Sequence, residues 1–320
     1  MTAFMNARHW YGLVGAPTDI GNFGCGAASG PAALRAGGFL DRMRHQGIVV
    51  RDMGDAEGPA EGTGIGEHGI RHVEATAAWC RAVRDGCGQV LADGGTPLMV
   101  GGDHSLALGS VAAASAHARK LGKPLHVFWF DAHPDFNTPD TSPSGNTHGM
   151  PMAAACGMGH PEMLDVGAFT PLLHPHDLTQ FGIRDVDHGE RAHLLRHGVR
   201  FHEMPEVRRA GLVSLVAEAL ERAERAGAHL HVSFDMDALD PEHAPGVGTP
   251  VPGGLTLDES VAALRLVGES GLTGSFDLVE LAAVREAGGS RTVQSALELL
   301  QAFLRADRRL FVEPLAVRVA

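Results

Sequence analysis

The chain has 320 residues, of which 44% are apolar and 20% are charged, and its formal net charge at pH 7 is −12. This composition is ordinary for a globular protein that buries a large core. The acidic balance, with no basic cluster to offset it, argues against binding to nucleic acid. No uninterrupted apolar run approaches the roughly 20 residues that span a bilayer, so no membrane association is predicted.

The amino-terminal residues and the cysteines indicate the cellular compartment of the protein. Residues 1–10 lack the apolar core of a signal peptide. The four cysteines show no C-x-x-C spacing, and a chain of this length does not need a disulfide scaffold. They are Cys25, Cys80, Cys87 and Cys156. We therefore expect free thiols and a cytoplasmic protein.

Apolar runs alternate with helix-like segments along the chain. The predicted strands cover residues 11–16, 97–100, 125–130, 178–183, 229–234 and 275–279. The predicted helices cover residues 31–36, 73–91, 106–121, 206–226, 257–269 and 292–306. This alternation is typical of a parallel sheet covered on both faces. It predicts an α/β fold, a three-layer αβα sandwich with a central, mainly parallel sheet, formed as a single domain over residues 1–320.

Three polar clusters directly follow predicted strands. They are, in chain order, Gly101-Gly-Asp-His104, Asp131-Ala-His133-Pro-Asp135 and Asp235-Met-Asp237. Alternate positions of an extended segment point to the same side. The carboxyl ends of parallel strands also form the edge at which open α/β proteins bind ligands. One such cluster would be a common feature of loops, whereas three at strand ends predict a metal site.

The ligand types indicate which metal is bound. The predicted ligands are four aspartates and two histidines, namely Asp131, Asp135, Asp235, Asp237, His104 and His133. Hard oxygens with a minority of imidazole suit Mn(II) better than a structural zinc site, which favours thiolate. Four carboxylates carry more charge than one divalent ion needs. We therefore expect two Mn(II) ions that share carboxylates, lie roughly 3.5 to 4 Å apart and activate a water.

The same segments carry a family resemblance. Three of them resemble, in the right order, the signatures of the ureohydrolases, the family of arginases and agmatinases: Gly101-Gly-Asp-His-Ser105, Asp131-Ala-His-Pro-Asp135 and Ser233-Phe-Asp-Met-Asp-Ala-Leu-Asp-Pro241. The likeness extends from Gly15-Ala-Pro17 and Gly30-Pro31 to Asp277-Leu-Val-Glu280. It implies a binuclear manganese hydrolase that attacks a guanidinium carbon.

The resemblance also implies how the ligands are divided between the two ions. His104 and Asp135 would be terminal ligands of one ion. His133 and Asp237 would be terminal ligands of the other ion, and the bridging carboxylates would be those of Asp131 and Asp235. Shared carboxylates agree with the charge argument made from the residues alone.

The segment 137–149 resembles the arginase loop that holds the α-carboxylate of an amino acid. Asn137, Ser142 and Ser144 would be its neutral hydrogen-bond donors. A loop rich in Ser, Thr, Asn and Gly also fits a solvated turn when it is considered alone. Its place directly after a metal-ligand cluster favours a substrate loop.

The segment 182–190 resembles the arginase loop whose acids receive the substrate's α-ammonium. Asp187 and Glu190 occupy those positions here. Acids in such a loop also fit a helix cap or a solvated turn. Together with the carboxylate loop, they favour a site for both ends of a zwitterion, which agmatine, lacking a carboxylate, would not use.

Four further roles are implied for side chains near the metals. His148 matches the proton-shuttling imidazole of the family, although most of the 19 histidines must be structural or exposed. Glu280 matches the acid that binds the guanidinium in the family, and the resemblance implies that Thr249 would supply a hydroxyl beside it. Asp277 could compete for the role of Glu280. Asp135 would accept a hydrogen bond from the attacking water.

These features together predict an arginase that converts L-arginine to L-ornithine and urea. One alternative is a sister ureohydrolase that acts on agmatine, hydroxyarginine or another guanidino acid. A second is a binding or regulatory protein that keeps the fold without turnover, which the presence of all six ligands and His148 disfavours. A homo-oligomer is also expected, and the sequence leaves a trimer and a hexamer open.

Overall fold

The computed structural model describes residues 9–288 and 291–310. The expectation about residues 1–10 therefore lies largely outside the described residues. Within them, eight strands form one sheet in the order β2-β1-β3-β8-β7-β4-β5-β6, and every neighbouring pair is parallel. The strands are β1 Trp10–Ala16, β2 Val49–Asp55, β3 Thr96–Gly101, β4 Leu125–Phe130, β5 Leu178–Ile183, β6 Arg200–Glu203, β7 His229–Asp235 and β8 Thr273–Val279.

Helices join the strands. In the described residues they are α1 Gly30–Ala36, α2 Phe39–His45, α3 Val73–Ala92, α4 Ala107–Lys120, α5 Pro151–Ala155, α6 Pro161–Leu164, α7 His188–His197, α8 Met204–Ala210, α9 Leu212–Arg225, α10 Leu257–Ser270 and α11 Arg291–Ala306. None of them is both long and apolar enough to cross a bilayer.

The core lies on both faces of the sheet because side chains alternate along each strand. Phe128 and Phe130 of β4 join a cluster with α1, α2 and α8 to α11. Val127 and Trp129 of the same strand face the opposite way and join α3 to α7. The predicted three-layer αβα sandwich with a parallel central sheet is thereby confirmed.

Two strands and several short helices were not predicted. β2 and β6 are the edge strands of the sheet, and β2 is largely exposed and carries charged residues, so neither has the apolar pattern of a buried strand. The helix predicted over residues 206–226 is wrong. It is two helices, α8 and α9, which meet at Gly211 because its φ of 84° cannot continue a helix.

Strand β7 also differs from its prediction as an apolar run. Leu230, Val232 and Phe234 face the core. The alternate residues His229, His231, Ser233 and Asp235 are equally buried and lie on the other face. On that side His229 packs against His117 of α4, with ring centroids 5.3 Å apart. One face of β7 is therefore a buried polar column that ends in a predicted metal ligand.

The packing of β8 against α11 gives a test of the core. Phe276 is fully buried and stacks on Phe303 of α11, with ring centroids 4.7 Å apart. Phe276→Ala should lower the free energy of unfolding by about 3–5 kcal/mol, the usual cost of such a cavity. Leu195→Ala is the matched control, because Leu195 is 67% exposed. Equal midpoints of chemical denaturation for both variants would contradict this account.

Candidate active site

The register of the sheet brings the predicted site residues to one edge. Phe130 of β4 is paired with Phe234 of β7, and Phe234 is paired with Leu278 of β8. Leu278 is in turn paired with Val100 of β3. Residues that follow these four positions must therefore emerge side by side, although they are far apart in the sequence.

The first group of potential metal ligands consists of His104, Asp131 and Asp135. Nδ1 of His104 lies 2.9 Å from Oδ2 of Asp131 and 3.4 Å from Oδ2 of Asp135. Oδ2 of Asp235 lies 3.0 Å from the same nitrogen. All four side chains are buried, so the structure gathers these predicted ligands in one small volume.

The second group consists of Asp131, His133 and Asp237. Nδ1 of His133 lies 3.3 Å from Oδ1 of Asp131 and 3.3 Å from Oδ2 of Asp237. Asp131 thus offers one oxygen to each group. Asp185, which was not predicted from the sequence, lies at the rim of this group, with its Oδ2 3.8 Å from Nε2 of His133.

The electrostatics of the cluster fit divalent cations. Burial, followed by the charge of Asp131, raises the pKa of Asp135 well above its ordinary value. Burial, followed by the charge of Asp237, does the same to the pKa of Asp235. Burial also opposes ionisation of Asp131, but hydrogen bonds with His104 and His133 outweigh it and lower its pKa. Buried carboxylates whose pKa is raised by neighbouring carboxylates in this way need cations to ionise together with those neighbours.

Two residues orient the imidazole of His104. The indole of Trp129 stacks on it, with ring centroids 3.7 Å apart, and Nε1 of Trp129 donates to Oδ2 of Asp131 at 2.9 Å. On the other edge of the imidazole, Nε2 lies 2.8 Å from Oγ of Ser233. Because Nε2 is hydrogen-bonded to the hydroxyl, Nδ1 is left facing the carboxylates. In metal-binding histidines the ring nitrogen that does not bind the metal is usually held by a hydrogen bond in this way.

The backbone also holds the aspartates. The N–H of His133 donates to Oδ1 of Asp131 at 2.7 Å, and the N–H of Asp237 donates to Oδ1 of Asp235 at 2.7 Å. Asp135 has a positive φ of 51°, a conformation that costs energy for a residue with a side chain. The two hydrogen bonds and the backbone conformation of Asp135 hold the carboxylates in the cluster at the ends of the strands.

Glu280 lies next to the first group. Its φ is 58°, and its Oε1 accepts a hydrogen bond from the N–H of His104 at 3.2 Å. Nδ1 of His148 is 3.6 Å from the same oxygen, so the structure brings together the predicted guanidinium acid and the predicted proton shuttle. Asp277, the competing residue, is instead buried inside the sheet, where it contacts Ser110 and His231.

The two predicted substrate loops contact each other. Nδ2 of Asn137 donates to Oδ2 of Asp187 at 2.9 Å, and Asp187 precedes the first residue of α7. Ser142 and Ser144 shape their own loop, since their hydroxyls accept hydrogen bonds from the N–H groups of residues 145 and 146. The structure thus joins the carboxylate loop to the first loop acid.

Glu190 is placed differently from Asp187. Its side chain is buried, and its Oε1 accepts a hydrogen bond from the N–H of Phe136 at 2.7 Å. Burial raises the pKa of Glu190 to about 8. In this structure Glu190 therefore fixes the backbone directly after the metal-ligand cluster, while the partly exposed Asp187 is the acid that reaches the loop surface.

Thr249 and Arg184 tie further segments to the second group. Oγ1 of Thr249 donates to Oδ2 of Asp237 at 2.9 Å, so its hydroxyl contacts a predicted metal ligand and not Glu280. The Arg184 guanidinium donates to the carbonyl oxygens of Asp237 at 2.6 Å and of Val251 at 2.8 Å. Arg184 thus clamps the loop of Thr249 to the turn that carries Asp237.

Four residues that contact this site were not predicted from the sequence. They are Cys25, Trp129, Arg184 and Ser233. A signal was present for Ser233, because polar residues alternate through β7 at 229, 231 and 233. No pattern in the sequence marks the other three, which reach the site from other strands and loops.

The parallel sheet, with a buried carboxylate–imidazole cluster at its carboxyl edge, defines an α/β protein with a candidate metal site at the ends of its strands. Comparison with known proteins agrees, since residues 10–305 match the Arginase family. The chain belongs to the arginase family, which confirms the resemblance found in the sequence.

Individual relatives match over most of the chain. The arginase of Bacillus caldovelox is 38% identical over 84% of this chain and 89% of that protein. A crystal structure of arginase from Bacillus subtilis is 33% identical, with a TM-score of 0.86 over 92% of this chain and 98% of that one. The arginase of Entamoeba histolytica in complex with L-ornithine is 28% identical, with a TM-score of 0.84 over 92% and 99%.

The shared position of Asp131 gives a test of the two ligand groups. Asp131→Ala should weaken metal binding more than Asp237→Ala, because it removes an oxygen from both groups. We expect a loss larger than the ~10- to 100-fold usual for a residue that only orients a ligand. Metal content after dialysis against Mn(II) measures it, with the exposed Asp165→Ala as control. Equal metal content in Asp131→Ala and wild type would contradict a shared ligand.

Proposed function

We propose that this chain is an arginase that hydrolyses L-arginine to L-ornithine and urea with two bound Mn(II) ions. One observation carries the proposal. The N–H of His104, a predicted metal ligand, donates to Glu280, the predicted guanidinium acid. A guanidinium bound to Glu280 would therefore lie next to the metal ligands, and a relative of this fold was crystallised with L-ornithine.

The ligands are proposed to divide as the family resemblance implies. His104 and Asp135 would hold one ion, His133 and Asp237 the other, and Asp131 and Asp235 both. Oxygen-rich donors with two imidazoles favour Mn(II). Bound in this way, the pair of ions would lower the pKa of a water and so supply a nucleophile near neutral pH.

The residues around the ions have separate tasks in the proposed reaction. Glu280 binds the planar guanidinium through its two carboxylate oxygens. Asp135 accepts a hydrogen bond from the attacking water and aligns it. The C–O bond forms as the bond from the guanidinium carbon to the side-chain nitrogen breaks. The proton that remains on the attacking oxygen passes to Asp135, which leaves the carbonyl group of urea, and His148 donates the proton that the departing nitrogen needs to leave as the amine of ornithine.

The other end of the substrate would be held by the joined loops. Asn137, Ser142 and Ser144 would donate to the α-carboxylate, and Asp187 would receive the α-ammonium. Glu190 supports this end in our proposal by fixing the backbone after Asp135, since its carboxylate is committed to the N–H of Phe136.

We further propose a single domain over residues 1–320, a cytoplasmic location and a homo-oligomer. The described residues form one continuous sheet, which supports the single domain. The four cysteines are all free and buried, as expected of a reducing compartment.

The role of His148 can be separated from metal binding. His148→Ala should lower kcat by roughly 10²- to 10⁴-fold, the usual range for a general acid. Metal content should not change, because His148 lies outside both ligand groups. The exposed His174→Ala is the control for loss of an imidazole. Turnover equal to that of the wild type at every pH would remove His148 from the mechanism.

The role of Asp187 can be tested by comparing two substrates. With Mn(II) supplied, wild-type kcat/KM for urea release should favour L-arginine over agmatine by several kcal/mol, because the polar groups of the loops are left unpaired without the zwitterion. Asp187→Ala should reduce kcat/KM for arginine far more than for agmatine, whereas the exposed Asp93→Ala should change neither.

Other outcomes of that comparison would change the proposal. Equal use of agmatine by the wild type, or equal losses on both substrates in Asp187→Ala, would move the assignment to a sister ureohydrolase. No urea from a panel of guanidino compounds, with metal bound, would favour a non-catalytic member of the fold.

A further inference from the structure

The thiol of Cys25 lies against the carboxylate of Glu280. Sγ of Cys25 donates to Oε2 of Glu280 at 3.4 Å, within the longer range that applies to sulfur. Cys25 is only 4% exposed. Cys87, by contrast, is enclosed in the apolar cluster around α3. The proposed mechanism makes no use of this thiol.

Two hydrogen bonds hold the loop that follows β1 with Cys25 next to Glu280. The N–H of Gly26 donates to Oδ2 of Asp19 at 2.7 Å, which closes the loop. The guanidinium of Arg285 donates to the carbonyl oxygen of Cys25. These two contacts hold the backbone on both sides of the thiol.

The thiol is also confined from the opposite direction. A Cβ placed on Gly248 would lie 2.9 Å from Cβ and 3.1 Å from Sγ of Cys25, so the residue next to Thr249 must be glycine for the sulfur to fit. Cys25 is therefore packed between the carboxylate of Glu280 and the turn that carries Thr249.

Within residues 9–288 and 291–310, each oxygen of Glu280 accepts one hydrogen bond from the protein. The N–H of His104 donates to Oε1, and the thiol of Cys25 donates to Oε2. Burial, and then the charge of Glu280, raise the pKa of Cys25 well above its ordinary value, so the sulfur keeps its proton. The backbone of Glu280 is already restricted by its positive φ. The two donors then fix the remaining freedom of the side chain, the plane of the carboxylate.

We propose that Cys25 is a positioning residue for guanidinium recognition. Its thiol, together with the N–H of His104, holds the plane of the Glu280 carboxylate in the orientation that meets a planar guanidinium edge to edge. A thiol suits this task because it is a weak donor and leaves the basicity of Oε2 for the substrate. This inference rests on the proposed function, which assigns the guanidinium to Glu280.

Such a role affects substrate binding more than the bond-breaking step. A carboxylate that is free to rotate loses part of the two-point contact with the guanidinium, and this contact exists before the reaction starts. The effect should therefore fall on KM, while the groups that act on the water and the leaving nitrogen are unchanged. A loss of general packing around Glu280 would instead lower stability or metal content.

The experiment compares Cys25→Ser and Cys25→Ala with the same two substitutions at Cys87, which is also buried. Metal content, melting temperature, kcat and KM for L-arginine are measured for all of them. Cys25→Ala should raise KM by about five- to tenfold, the effect of one modest hydrogen bond. Its kcat should stay within about twofold, and metal content should equal that of the wild type. Cys25→Ser keeps a donor and should restore KM to near the wild-type value.

The alternative outcomes are decisive. Wild-type KM in Cys25→Ala would overturn the proposal, as would equally raised KM values in the Ser and Ala variants, which would indicate a volume effect. A similar rise of KM in the Cys87 variants would also overturn it. If Cys25→Ala does not fold, a raised KM in Cys25→Ser alone refutes the donor role. Absence of urea release by the wild type would refute the proposed function instead, and so the two failures are distinguishable.

Discussion

The rest of the site depends on the contacts that the carboxylate of Asp131 makes with two histidines. One of its oxygens lies beside His104 and the other beside His133, so both ligand groups are built around one side chain. Placing further aspartates next to it is unfavourable in a buried site unless cations are present. The sheet must therefore oppose this repulsion, and it does so through its parallel register, through Trp129 and through N–H groups that hold the carboxylates.

Much of the fold and most of this centre could be predicted from the sequence. The six central strands are buried and apolar enough to be recognised, and polar clusters at their ends indicate one edge of a parallel sheet. The edge strands β2 and β6 could not be predicted, because a strand that is exposed or half-buried lacks the apolar sequence pattern by which a buried strand is recognised. The break at Gly211 was missed because the apolar period of α8 continues across it into α9.

The residues that surround and orient the predicted ligands could not be predicted from the sequence. From its sequence position, Trp129 is expected to be an ordinary aromatic residue of the core. In the folded sheet it stacks on His104, 25 residues earlier in the chain. Arg184 reads as a charge in a loop, yet it binds carbonyl oxygens of two other loops. Such contacts depend on where separate strands end in space, and no local period or spacing encodes that. Glu190 was likewise expected to receive the substrate's α-ammonium, but its side chain is buried and accepts a hydrogen bond from the N–H of Phe136.

That burial connects the two ends of the proposed site. Glu190 holds the N–H of Phe136, the residue directly after Asp135, and Asp187, three residues before Glu190, holds Asn137. The start of α7 is therefore attached at two points to the segment that leaves the metal-ligand cluster. A shift of this helix would therefore move the backbone after Asp135 together with Asn137, the predicted carboxylate donor that Asp187 holds.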